Sequence, residues 1–112
     1  MGQYIQVMTT LGEKGDADEL ARRVVEQRLA ACAQVIGPVS STYWWRGQLE
    51  TASEWLCLMK TERALYENLE AAIKDVHPYE TPEIVAIPVE AGSEAYLAWL
   101  SGEVRSPESG GH

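Results

Sequence analysis

Between Gln3 and Thr10, apolar and polar residues alternate, with Ile5, Val7 and Thr9 on one parity and Tyr4, Gln6 and Met8 on the other. That period of two predicts a first strand, largely buried. The period then lengthens: Ala17, Leu20, Ala21, Val24, Val25 and Leu29 recur at helical spacing through Cys32. Asp16 followed three residues later by Glu19 supplies an N-terminal start, so the spacing predicts a helix over 16–32 with one apolar face. Arg22, Arg23 and Arg28 read as solvated charge on its polar face.

Extended structure restarts at Val35-Ile36-Gly37-Pro38-Val39, where the Gly-Pro pair predicts a bulge or an edge position before the strand runs on to Trp45. Arg46-Gly47-Gln48 is the turn, and Leu49 to Lys60 returns as a third strand, making a large twisted hairpin. In its second arm Trp55, Cys57 and Met59 share one parity, while Leu56 and Leu58 share the other. Both faces of this strand are therefore apolar and both need cover, either from another copy of the chain or from a last helix crossing to the second face.

Thr61 is placed to cap a second helix, in which Leu65, Leu69, Ala72, Ile73 and Val76 fall on one face. Ile84 to Val89 is a short β-branched run, hence a buried fourth strand, and Gly92-Ser93 opens a third helix with Tyr96, Leu97 and Leu100 inward. One domain over residues 1–102 follows, with 103–112 a mobile polar tail. The order βαββαβ with an added C-terminal helix is that of an α+β, ferredoxin-like split βαβ sandwich. That fold hosts unrelated functions and does not choose among them.

Composition narrows the choice by exclusion. Apolar residues make up 46% of the 112, enough for a packed core, and the formal charge of −8 disfavours nucleic acid and anionic membrane as partners. No apolar run is long enough to span a bilayer, and the N-terminus opens directly into a strand pattern, so a cytoplasmic location is expected. Cys32 and Cys57 are the two cysteines, too few for a disulfide scaffold and without zinc-site spacing. Leu11 to Gly15 carries neither phosphate-loop pattern, nor the Arg-bearing anion loop of an acylphosphatase. Ser40, Ser41 and Thr42 have no apparent base, so the chain is not expected to be an enzyme.

Chemistry concentrates in His77-Pro78-Tyr79-Glu80-Thr81-Pro82-Glu83. Two prolines stiffen this turn, which holds an imidazole, a phenol and two carboxylates, a set able to bind metal or move protons. A plain helix stop whose His77 bonds a backbone carbonyl competes with that reading. For a metal, His77 offers nitrogen, Cys32 or Cys57 thiolate, and Glu80 or Glu83 oxygen, a set suited to copper or zinc above magnesium. Cys57, on an apolar strand, reads as a small core hydrophobe, and Cys32 closes an Ala-rich helix where it is either packed or reactive. Lys60 pulls the other way, since an ammonium repels a cation and, beside Trp45 and Tyr79, favours an anionic or aromatic small molecule. Glu54 and Lys60 share strand parity but lie about 20 Å apart along it, so only a bend or a second subunit brings them together.

Four blocks occur in one order: Arg28-Leu29-Ala30-Ala31-Cys32, Tyr43-Trp44-Trp45-Arg46-Gly47, Glu54 through Thr61, and His77 through Ile84. Together they resemble the CutA divalent-cation tolerance proteins, from about Tyr4 to Leu100, with Tyr96 and Trp99 matching the family's last helix. The resemblance implies a tight homotrimer joined by sheet edges and long hairpins, a link to copper or other divalent-metal tolerance, and a pocket near subunit boundaries. Onto that pocket it maps Cys32, Tyr43, Trp45, Glu54, Lys60, His77, Tyr79 and Glu80. Gln34, where the family commonly has Asn, and Trp44, at an often polar position, depart from the pattern. The expectation is a cytoplasmic homotrimer with no required cofactor that binds divalent metal, copper ahead of zinc, through His77, Cys32 and Glu80. The alternative is a trimeric signalling protein that senses a small anionic metabolite between subunits, held by Lys60, Trp45, Tyr43, Tyr79 and Glu54.

Overall fold

The structure is a computed structural model, and it describes residues 3–107. Strand β1 (Tyr4–Leu11) leads into helix α1 (Lys14–Glu26), then β2 (Cys32–Trp45) and β3 (Gln48–Glu62). A single 3-10 turn, Arg63–Leu65, introduces α2 (Tyr66–Val76), and β4 (Val85–Pro88) and α3 (Glu94–Glu103) complete the fold. The four strands form one antiparallel sheet in the order β2-β3-β1-β4, the arrangement expected of a split βαβ sandwich.

On the sheet's first face the alternation of β1 buries Ile5, Val7, Thr9 and Leu11, and β3 adds Cys57 and Met59. Ala17, Leu20 and Val24 of α1, with Leu65, Leu69 and Ile73 around α2, close over them as one core. Residues directly opposite across a ladder share a face, so Val85 and Ile87 stand with Met8 and Gln6, and Cys32, Gln34 and Ile36 with Lys60, Leu58 and Leu56. This second face is covered at one end only. There α3 crosses it, where the hydroxyls of Tyr4 and Ser101 share a 2.8 Å hydrogen bond and Ser101 donates to Glu62 at 2.6 Å. Away from α3, Ile36 and Ile87 remain 48% and 46% exposed.

Several local expectations are corrected. Helix α1 starts at Lys14 and ends at Glu26, six residues short of Cys32, because Arg28 takes a left-handed conformation at φ 61° and the amide of Leu29 donates back to the Val24 carbonyl. Cys32 therefore opens β2 instead of closing a helix. Thr61 does not cap α2; it is buried in β3 opposite Ile5, and its hydroxyl has no hydrogen-bond partner among the described residues. Tyr96 is 39% exposed at the edge of α3, and Leu100 is the α3 residue that is buried.

The expected bulge is present, as a register shift between Ile36 and Val39 on the edge strand β2. A Cβ on Gly37 would stand 2.6 Å from the Trp55 ring, so the close approach of strand to indole requires glycine. The hairpin closes on Arg46 and Gly47, both at positive φ, in the two-residue form whose twist matches its strands. Residues 103–105, read from the sequence as the start of a mobile tail, are tied to the end of α1. Arg28 donates to the carbonyl and carboxylate of Glu103, each at 3.0 Å, and the Arg105 amide donates to the Arg28 carbonyl at 2.9 Å. Residues 108–112 of that segment lie outside the described residues.

Candidate functional site

The residues singled out from the sequence fall into two groups at opposite ends of the sheet. The first is built on the turn after α2, where Pro78 prevents the helix from continuing and the chain wraps past the end of β1. His77 is buried there with both ring nitrogens engaged. Its Nδ1 accepts from the Tyr79 amide at 3.2 Å, which places the proton on Nε2, and Nε2–H donates to the Thr10 carbonyl at 2.9 Å. Burial holds the imidazole below its ordinary pKa, and the opposing pull of the Thr10 carbonyl, Glu54 and Asp16 does not reverse this. Neutral His77 in one tautomer is the form this geometry needs.

The Tyr79 ring meets His77 edge-on, with centroids 4.8 Å apart, and its hydroxyl donates to the buried Glu54 carboxylate at 2.7 Å. Burial, then the bond to Glu54 and its charge, raise the phenol's pKa, so Tyr79 stays a donor throughout the physiological range. Tyr43 acts on the same phenol through space. Glu80 turns outward and accepts from Arg46 Nη2 at 2.7 Å, while the Arg46 guanidinium lies 5.1 Å from the Trp45 ring centre. The turn thus gathers His77, Tyr79, Glu80, Glu54, Tyr43 and Trp45 in one protomer.

The second group sits on the half-covered face beside α3. Cys32 is directly opposite Lys60, and its Sγ shares a 3.5 Å hydrogen bond with the Tyr96 hydroxyl. That bond, followed by burial, pushes the Tyr96 phenol up to about 12. Tyr96 in turn packs on Trp99 at 5.4 Å, and Lys60 donates to the Gln34 side chain at 3.1 Å. Cys57 is on the other face, fully buried, its thiol pushed up to about 11 by burial with a smaller contribution from the Asp18 charge. It is a core residue, as its strand position indicated.

One protomer does not bring His77, Cys32 and Glu80 together. Thr10, which holds His77, pairs with Leu56, four residues along β3 from the Lys60 that faces Cys32. That is about 13 Å of strand. Among the described residues no three His, Cys, Asp or Glu side chains are grouped so as to hold a metal ion. His77 has no lone pair to offer, and Glu80 is already paired with Arg46. A resident metal therefore does not fit the turn; of the other two expected ligands, Glu80 is exposed but paired with Arg46, and Cys32 is partly exposed with its thiol on the Tyr96 hydroxyl. Nor do the two concavities described coincide with either group: the larger, about 470 Å³, is lined by Ile5, Arg63, Ala64, Tyr66, Glu67 and Ala86.

Three partners were not legible as site residues. Arg46 read as a turn residue within a block shared with the family, Tyr96 as a core residue matching the family's last helix, and Thr10 contributes a backbone carbonyl, which no side-chain pattern announces.

Comparison with known proteins gives a consistent picture. The profile of the family described as CutA1 divalent ion tolerance protein matches residues 5–103. "Protein CutA" of Mus musculus is 43% identical over 110 residues, 98% of this chain and 62% of the mouse protein. This chain thus spans about three-fifths of that relative's length. "Divalent-cation tolerance protein CutA" of Escherichia coli is 37% identical over 101 residues, 90% of each chain. Among solved structures, the "Periplasmic divalent cation tolerance protein CutA" of Archaeoglobus fulgidus superposes with a TM-score of 0.88 at 32% identity, covering 91% of this chain and 99% of its own.

Proposed function

Because the chain belongs to the CutA1 divalent ion tolerance family, we propose that it serves divalent-cation tolerance as a homotrimer, and that it meets the metal through Cys32 on the open face of the sheet. The observation that carries this reading is the division of labour in the structure. His77 is buried with both ring nitrogens engaged and Glu80 is paired with Arg46, whereas the Cys32 thiol is partly exposed at the edge of α3, held by a 3.5 Å bond to the Tyr96 hydroxyl. A soft thiolate selects copper ahead of zinc, and a single thiol needs further donors from another copy or from a small molecule carried with the metal. Trimer formation is proposed on the apolar residues left exposed on the second face, Ile36, Val85 and Ile87 among them. The cytoplasm is the compartment proposed, where two unpaired thiols stay reduced. No catalytic residue is assigned. Titration of Cu(I) against a chromophoric chelator tests the reading: Cys32→Ser loses the bound copper and His77→Gln retains it. Equal binding by wild type and Cys32→Ser refutes it.

A second reading rests on Lys60. Its ammonium, with the Gln34 amide and the Tyr96–Trp99 pair close by, suits a small anionic metabolite held between copies, in a protein that signals metal status to a partner. Trp45, Tyr43, Tyr79 and Glu54, first grouped with Lys60 as ligand contacts, are at the other end of the sheet in the same protomer, so Tyr96 and Trp99 take their place as aromatic partners unless a neighbouring copy supplies them. Tryptophan quenching by a panel of carboxylates and phosphates, abolished in Lys60→Ala, supports this reading, and silence across the panel removes it.

A further inference from the structure

The β2–β3 hairpin is longer than the sheet it belongs to. β1 ends at Leu11, opposite Trp55, and beyond that level residues 39–45 and 48–54 pair only with each other. Such a two-stranded ribbon is marginal in water without a third strand or a packed partner. What lies alongside it is the turn after α2, and three residues of that turn engage three different levels of the sheet. His77 donates to the Thr10 carbonyl at the end of β1, Tyr79 donates to Glu54 at the base of the arm, and Glu80 accepts from Arg46 at its tip. The Tyr79 amide on His77 Nδ1 ties the first two contacts into one unit.

We infer that residues 77–80 form a clasp that holds the β2–β3 arm in place, with His77 and Glu54 as positioning residues for Tyr79 and no metal ligand among them. The clasp fixes the direction in which the arm presents Tyr43, Trp44 and Trp45, the last two on the strand end next to the turn at Arg46. Glu54 is the informative member. A carboxylate 5% exposed on a two-stranded ribbon is costly unless partnered, and the Tyr79 hydroxyl is the partner it has. This inference is independent of how copper or an anion is bound, since it concerns contacts within one chain.

Hydrogen exchange read by mass spectrometry on the metal-free protein tests it. Tyr79→Phe and Glu54→Ala are expected to raise exchange of amides in residues 41–50 by about tenfold, the loss of one hydrogen bond to a charged acceptor, while the β1–β3 pairing around Val7 and Met59 is unchanged. Glu54→Gln keeps an acceptor for the Tyr79 hydroxyl and restores the wild-type pattern. Unchanged exchange in the arm of Tyr79→Phe and Glu54→Ala overturns the inference. So does a rise spread evenly over the whole sheet, which makes the contacts general stabilisers. Because no metal is present, neither outcome depends on the Cys32 proposal.

Discussion

At the scale of single residues, His77 shows how a side chain with ligand chemistry becomes structural. A metal would need one of its nitrogens, but Nδ1 accepts the Tyr79 amide and Nε2–H serves the Thr10 carbonyl, so coordination costs a buried hydrogen bond before any is gained. Protonation has the same cost. Burial depresses the folded-state pKa below 6.5, so in the window from 6.5 downward the unfolded chain binds more protons than the folded one. The stabilisation from neutral His77 is fully present above pH 6.5 and fades as pH falls through the folded value. Urea unfolding of wild type and His77→Gln between pH 7.5 and 5 should therefore show the wild type losing its advantage toward acid; a constant gap contradicts neutral His77. Tyr79 and Glu54 follow the same logic of mutual satisfaction, each a polar group that the other makes tolerable.

At the scale of elements, the hairpin carries the clearest physical demand. Gly37 lets the edge strand bulge directly over Trp55, and Gly37→Ala drives a methyl against the ring at 2.6 Å and toward the Glu54 carbonyl at 3.1 Å. Overpacking of that kind costs about 1–3 kcal/mol, measured as a lowered urea midpoint with an unchanged slope; no loss of stability would show that the strand shifts freely. The existence of the four strands, α2 and α3 was legible from alternation and helical spacing, and the sheet order from the βαββαβ sequence of elements. Strand β4, expected to be buried, is exposed at all four residues because it is an edge strand. The end of α1 was not legible. Leu29 continues the apolar rhythm of the helix, while the break comes from Arg28 at positive φ, a conformation that a glycine would have signalled and an arginine does not. Thr61 misled in the same way, since a threonine before a helical stretch reads as a cap although its neighbours extend β3 past it. The site was legible in its residue types and not in its grouping. Cys32 and His77 are candidates by chemistry, and only the register of three strands shows that their partners Lys60 and Thr10 lie four residues of β3 apart, about 13 Å of strand.

At the scale of the whole molecule, one face of the sheet carries the core and the other is half open. Helices α1 and α2 bury the first face over β1 and β3, leaving Ala86 and Pro88 of the edge strand β4 exposed, and α3 covers the end of the second that holds Tyr4, Glu62 and Cys32. The remainder displays Ile36, Val85 and Ile87, and the arm adds Trp44, 72% exposed, and Leu49 opposite it. The crossing helix thus accounts for one end of the strand's second face, and the proposed trimer is what would cover the other. Sedimentation of the wild type is expected to give a trimer at micromolar concentration, and Ile36→Lys with Ile87→Glu to give a monomer that keeps its secondary structure. A wild-type monomer removes the assembly.

The proposal that the metal meets the partly exposed Cys32 thiol and not the turn is tested most directly by X-ray absorption at the copper edge on the copper-loaded protein. With Cys32 as the contact, sulfur scattering is present in the first shell of wild type and of His77→Gln and is lost in Cys32→Ser. A shell of nitrogen and oxygen alone in the wild type, altered by His77→Gln, would return the metal to the turn and contradict the account.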